Sequence, residues 1–166
     1  MDAAPLDWRP DSVFVQAGAS SRDARVGGAG LRWDLPWPHP AAGWRGTLQV
    51  SLARWSAAVS PGDAPLAGRE HVLQLVVLPA VRWQTDAGGS GSFVEAGLGL
   101  SLHDRPYRVE RVRQGSRLNF QEELAWGRHL GGGHAVSLRL AHMSNAGLRK
   151  PNPGETWWSL RWEAAF

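Results

Sequence analysis

Apolar and polar residues alternate along most of this chain, so that nearly every second position is apolar. In WRGTLQVSL, residues 44–52, the apolar Leu48, Val50 and Leu52 are separated by single polar residues. Because successive side chains of a strand point to opposite faces of a sheet, this period predicts strands with one apolar face. We place eight such segments, at 12–21, 24–34, 43–56, 70–84, 91–103, 116–128, 133–145 and 155–166.

The number and length of these segments predict how the strands associate. A tilted strand needs about 9–11 residues to cross a bilayer, and barrels in bacterial membranes usually have an even number of strands. We therefore predict an all-β fold, an eight-stranded antiparallel transmembrane β-barrel, with residues 1–166 in a single domain. If the amino terminus faces the periplasm, the loop at 146–154 lies at the outer surface.

A soluble β-sandwich or a lipocalin-like barrel produces the same alternation. Two features favour the membrane barrel. The second face of nearly every segment carries Arg, Glu, Gln, Ser or Gly, which suits a narrow polar lumen. Tryptophans lie near the predicted strand ends, where aromatic girdles are found; they are Trp33, Trp44, Trp55, Trp83, Trp126, Trp157 and Trp158.

Composition excludes several other classes of protein. The 20 glycines and 11 prolines argue against long helices, and the absence of cysteine excludes disulfides and thiolate metal sites. A formal charge of +3 and the lack of nucleic-acid motifs give no reason to expect a nucleic-acid partner. No histidines have metal-ligand spacing and no glycine loop suits a phosphate, so we expect neither a metal nor another cofactor. The first residues lack the features of a signal peptide, which fits a mature form.

One polar pair interrupts the apolar face of the seventh segment. Val136, Leu138 and Leu140 define that face, and parity adds His142 and Ser144 to it. Two residues at this spacing lie about 6.5–7 Å apart along a strand, so the imidazole can reach the hydroxyl. Polar groups facing hydrocarbon are unfavourable unless they are paired or used. A location among the lipid headgroups would also explain them.

The amino-acid sequence around this pair gives a further indication of function. The stretch HMSNAGLRKPNPGE from His142 to Glu155, with GSRLNF before the sixth segment, resembles the outer-membrane lipid A 3-O-deacylase family. The resemblance implies a Gram-negative outer-membrane barrel that acts as a serine esterase. Its expected reaction is hydrolysis of the acyl chain ester-linked at position 3 of lipid A, without a cofactor. Lipopolysaccharide and membrane lipid are the expected partners, with a homodimer possible.

The resemblance also implies roles for individual residues. Ser144 corresponds to the nucleophile, His142 to the general base and Glu155 to the acid that orients the imidazole. Asn145 and Gly147 are candidates for donating hydrogen bonds to the oxyanion.

The identity of the acid remains open. Strand parity puts Glu155 on the lumen side, so it would need a bulge or a position in the turn to reach the imidazole. Aligned from the SL of the last strand, the acid of the family falls on Thr156, which has the correct parity. Glu122 on the neighbouring strand also has outward parity, although a headgroup-level carboxylate or a local bulge would explain it.

Further residues are candidates for substrate binding. Phe120 has outward parity beside the seventh segment and is expected to contact either the acyl chain or ordinary lipid. Guanidinium and ammonium groups suit the phosphates of lipid A, and the candidates are Arg113, Arg117, Arg149 and Lys150. A solvated surface loop is the alternative for each of them.

Two other functions remain compatible with the sequence. A non-catalytic small barrel, serving adhesion or membrane structure, would use the same strands but would not need His142 and Ser144. An esterase acting on another membrane lipid would need both, because strand patterning does not disclose the substrate.

Overall fold

The computed structural model describes residues 8–35, 43–60, 68–85 and 90–166. This part of the chain contains no helix long and apolar enough to span a membrane. Its regular structure consists of strands, which are β1 (Ser12–Ser20), β2 (Ala24–Leu35), β3 (Trp44–Val59), β4 (Gly68–Gln84), β5 (Ser92–His103), β6 (Arg108–Val109), β7 (Val112–Arg113), β8 (Leu118–Gly131), β9 (His134–Ser144) and β10 (Glu155–Ala165).

Eight of these strands close into an antiparallel barrel in the order β1-β10-β9-β8-β5-β4-β3-β2. The predicted fold is therefore confirmed, and the predicted segments agree with the barrel strands to within three residues at every end. The short strands β6 and β7 form a separate hairpin in the connection between β5 and β8. This connection and the one at 145–154 lie at the same end of the barrel, which we call the site end.

The two faces of the wall differ as the alternation predicts. Outward positions expose large apolar side chains, such as Leu52 at 66% and Leu160 at 68%. A monomeric soluble protein rarely exposes an apolar surface of this extent, so the wall is built to contact lipid.

The lumen contains charged side chains in pairs. Arg139 bonds Glu123 at 2.7 Å and also contacts Glu95, while Arg82 bonds Glu95 at 2.8 Å. Burying a charge is unfavourable unless an opposite charge and hydrogen bonds compensate it. The barrel interior is therefore filled by a compensated ionic network and offers no room for a lipid.

At the site end, the lumen holds an aromatic cluster. The rings of Trp55 and Trp157 meet edge to face with centroids 4.7 Å apart, and Tyr107 lies 5.3 Å from Trp55. Both tryptophans are almost completely buried, so their assignment to an outer aromatic girdle was wrong. The reason is parity: each occupies an inward position of its strand.

Candidate active site

The outward face of β8, β9 and β10 brings the polar residues of the motif into adjacent rows. His142 on β9 pairs directly with Glu122 on β8 and with Thr156 on β10. One row closer to the site end, Ser144 pairs with Phe120. Directly opposed residues of an antiparallel pair have Cβ atoms about 4.5–5.5 Å apart, so each row is one set of side-chain neighbours.

The imidazole of His142 is held from the β10 side. Its Nδ1 lies 2.7 Å from the hydroxyl oxygen of Thr156. The pairing of β9 with β10 is regular from Glu155 to Ala164, so the contact follows directly from strand register. Thr156 therefore occupies the place at Nδ1 where the predicted triad has an acid.

Gly154 gives room to the other side of the ring. A Cβ built on this glycine would lie 2.8 Å from Cε1 and 3.2 Å from Nε2 of His142, and its φ is +60°. A larger residue would displace the ring and would also be strained at this φ. Because Glu155 pairs with Met143, Gly154 lies at the level of Ser144. Gly154 therefore borders the Cε1–Nε2 edge of the imidazole, while Nδ1 contacts Thr156.

Glu155 does not have the position predicted for the acid of the triad. Its strand partner is Met143, its side chain is only 3% exposed, and its Oε2 accepts a hydrogen bond from the hydroxyl of Tyr107 at 3.4 Å. Burial and this carboxylate raise the pKa of the Tyr107 phenol, which remains protonated and able to donate. Since no bulge rotates the start of β10, the side chain of Glu155 faces the lumen, away from His142.

The two predicted oxyanion donors form hydrogen bonds within the connection at 145–154, which we call the site loop. The backbone N–H of Asn145 donates to Asn152 Oδ1 at 3.0 Å, and its side-chain amide donates to the carbonyl of Arg149 at 2.7 Å. The N–H of Gly147 donates to Asn145 Oδ1 at 3.0 Å. The backbone donor that contacts the nucleophile is the N–H of Ala146, 3.4 Å from Ser144 Oγ. Ala146 has a φ of +52°, and a left-handed alanine is unusual enough to suggest a functional constraint.

The GSRLNF stretch, residues 115–120, contacts the site loop from the neighbouring connection. The N–H of Gly115 donates to the carbonyl of Pro151 at 2.7 Å, and a Cβ on Gly115 would lie 2.7 Å from the carbonyl oxygen of Lys150. Only glycine permits this approach. The buried Gln114 amide donates to Asn119 and, at 3.4 Å, to Asn152. These contacts join the two connections beside Ser144.

The predicted substrate-binding residues lie around the same end of the barrel. Phe120 faces outward opposite Ser144 and is 37% exposed. Arg113, Arg149 and Lys150 are exposed, whereas Arg117 is exposed but uses its Nε to donate to the carbonyl of His103 at 2.8 Å. These basic groups belong to the two connections at the site end of the barrel.

An apolar groove continues from the site along the outer wall, away from the site end. Leu124 on β8, Leu140 on β9 and Trp158 on β10 form the row below His142. Together with Leu138 and Trp126, they line a groove of about 470 Å³. Its position beside the row of Glu122, His142 and Thr156, which we call the polar row, is suited to an extended hydrocarbon chain.

Two residues of this site were missed by sequence reasoning. The contact between Thr156 and Nδ1 was signalled by its outward parity and its alignment with the acid of the family, although Glu155 was preferred. The N–H of Ala146 carries no side-chain signal. Among the described residues, no three His, Asp or Glu side chains gather as metal ligands.

Comparisons with known proteins identify the family and the fold of the chain. The family described as Lipid A 3-O-deacylase (PagL) matches residues 27–164. The lipid A deacylase PagL of Bordetella bronchiseptica is 31% identical over 132 residues, which cover 75% of this chain and 67% of that protein. The lipid A deacylase PagL of Pseudomonas aeruginosa is 31% identical over 157 residues, which cover 90% of this chain and 88% of that protein. A crystal structure of the outer membrane enzyme PagL matches with a TM-score of 0.78 and 26% identity, covering 93% of this chain and 99% of that one.

Proposed function

The chain belongs to the lipid A 3-O-deacylase (PagL) family, and from this premise we propose that it hydrolyses the ester at position 3 of lipid A in the outer leaflet. It is an ester hydrolase built on an outer-membrane barrel. The observation that carries the proposal is the outward placement of His142 and Ser144 in adjacent rows, with His142 held by Thr156, on a wall that faces lipid.

Ser144 and His142 perform the chemistry in two steps. His142 Nε2 accepts the proton of the Ser144 hydroxyl while Oγ attacks the ester carbonyl. The tetrahedral intermediate collapses, the sugar 3-hydroxyl leaves with the proton from the imidazolium, and the acyl group remains on Ser144. A water molecule activated by His142 then hydrolyses this acyl-enzyme, releasing the fatty acid and restoring the serine. Water reaches the site from the headgroup side.

Thr156 orients the base. When Nδ1 carries its proton, it donates to the threonine oxygen and leaves the lone pair of Nε2 available to Ser144. The contact of 2.7 Å supports this role, which the sequence had assigned to Glu155.

Backbone groups of the site loop stabilise the oxyanion. The N–H of Ala146 is the first candidate because it already approaches Ser144 Oγ. Asn145 and Gly147, the donors expected from the sequence, would contribute after rearrangement of the loop, since their N–H groups are bonded within it.

Lipid A binds across the polar row and the groove below it. The acyl chain lies against Phe120 and the groove, while Arg113, Arg117, Arg149 and Lys150 meet the phosphates and headgroup. Cleavage at the outer wall suits a substrate whose chains stay in the leaflet throughout the reaction. The homodimer that the resemblance allows is not tested by this structure.

The test is mass spectrometry of lipid A after incubation of lipopolysaccharide with the refolded protein and, in parallel, with Ser144→Ala. Loss of one 3-linked hydroxyacyl chain with the wild type alone would establish the reaction, its position and the nucleophile. Unchanged lipid A, with release of fatty acid from phospholipid instead, would favour an esterase acting on another lipid. No hydrolysis of either lipid by a folded wild-type barrel would favour a non-catalytic role.

A further inference from the structure

Thr156 orients His142 but does not supply what a carboxylate supplies in a triad. A hydroxyl both donates and accepts, so it fixes the plane of the ring without dictating which nitrogen carries the proton. It also brings no negative charge to stabilise the imidazolium that forms when Ser144 loses its proton. The observed site therefore has an orienting group at Nδ1 and lacks a charge there.

A carboxylate is present on the opposite flank of the same ring. Glu122 on β8 is directly opposite His142, as Thr156 is on β10, so the histidine stands between them in one row. Glu122 is exposed on the outward face. Its Cβ lies roughly 4.5–5.5 Å from that of His142 by strand geometry, so the two side chains are neighbours on the outer wall.

The location of Glu122 is unusual for its chemistry. Of all outward-facing positions in the eight barrel strands described above, Glu122 is the one occupied by a carboxylate. Its neighbours on the wall are apolar, with Leu98 on β5 directly opposite and Leu124 two positions along β8. An acid on a lipid-facing wall is unfavourable unless a nearby group compensates it. The group facing it is His142.

We propose that Glu122 is the carboxylate of this active site, delivered from β8 on the flank of His142 opposite to Thr156. This assignment rests on the proposed esterase reaction. It gives the two roles of a triad acid, orienting the imidazole and supplying a negative charge, to two different residues. Thr156 orients the ring through Nδ1, and Glu122 places a negative charge beside it. Glu122 acts through His142 and is thus a positioning residue that touches no reacting atom.

The other carboxylates close to the site lie in the lumen and are hydrogen-bonded there. Glu123 bonds Arg139 at 2.7 Å, and Glu155 accepts from Tyr107 at 3.4 Å. Both are inward by parity, on the far side of the backbone from His142. Glu122, by contrast, is on the outward face and pairs with His142 in the strand register.

The experiment compares Glu122→Gln, Glu122→Asp and the double variant Glu122→Gln/Thr156→Glu with the wild type. Refolded barrels are assayed for kcat and KM on lipopolysaccharide in micelles. We expect Glu122→Gln to lower kcat about 100-fold with little change in KM, because the lost charge acts on the developing imidazolium. Glu122→Asp should retain part of kcat. The double variant should recover most of it, because the carboxylate then enters from the other flank at Nδ1.

Arg128→Gln is the matched control, since it removes an outward charge from the same strand, opposite Val136 and away from the polar row. An active Glu122→Gln enzyme with unchanged kcat would overturn the assignment. So would a loss that the double variant does not reverse, because it would show that Glu122 acts on the shape of the wall. A wild type without activity would instead refute the proposed function, which keeps the two failures distinguishable.

Discussion

The inner and outer faces of β8, β9 and β10 carry similar polar groups under opposite conditions. On the inner face, Glu123 and Arg139 form an ion pair in which each side chain is almost fully buried. On the outer face, Glu122, His142 and Ser144 are exposed or half-buried. Their one close polar side-chain partner within these three strands is the Thr156 hydroxyl on His142.

The difference separates structural polarity from functional polarity. The charged groups of the lumen network are stabilised by their partners and have no access to substrate. A polar group on the lipid-facing wall is destabilised by its surroundings, and an accessible, incompletely paired base and hydroxyl are what an esterase requires. Substitutions on the two faces should therefore change different measurable quantities.

The largest effect on stability is expected from removing one partner of the ion pairs on the inner face. Arg139→Met leaves Glu95 and Glu123 without their shared partner in the lumen. Removing one member of a buried ion pair costs roughly 3–5 kcal/mol. Urea unfolding of the barrel in lipid vesicles, followed by tryptophan fluorescence, should show this loss. Arg128→Met on the outer face is the control, and an equal midpoint for both variants would contradict the comparison.

A smaller effect, on activity alone, is expected at Thr156. Thr156→Val keeps the shape of the side chain and removes the hydroxyl that bonds Nδ1. We expect kcat to fall about tenfold, equivalent to about 1.4 kcal/mol of transition-state stabilisation, while the urea midpoint stays unchanged. Thr156→Ser should remain active because it retains the hydroxyl. Full activity of the valine variant would remove Thr156 from the site.

The smallest effect is expected from Glu155→Gln. The side chain faces the lumen, and an amide oxygen still accepts the hydrogen bond from Tyr107. Initial rates on lipopolysaccharide should stay within about twofold of the wild type. A collapse of kcat comparable to that of Ser144→Ala would show that Glu155 reaches His142 in the working enzyme.

The fold was predictable because alternation is enforced at every position of a wall with lipid on one side and a polar lumen on the other. That rule fixes the strands and also the faces, including the outward direction of His142 and Ser144. It is silent on β6 and β7, whose two residues each are too short to carry a period.

The errors arose where another signal was given more weight than parity. Trp55 and Trp157 were assigned to girdles from their closeness to strand ends, although both have inward parity. The assignment of Glu155 as the acid stays a prediction; it followed the motif, although the parity of Glu155 is inward and its side chain lies in the lumen. The bond between Thr156 and His142 depends on which residues of β9 and β10 stand opposite each other, which a single strand pattern does not specify.

The sideways orientation of Ser144 has a kinetic consequence. A nucleophile on the barrel wall is met by molecules that diffuse laterally within the same leaflet, so the rate depends on the mole fraction of substrate among the surrounding lipids. Diluting lipopolysaccharide with an inert amphiphile at constant bulk concentration should slow hydrolysis. For this enzyme the relevant concentration is two-dimensional.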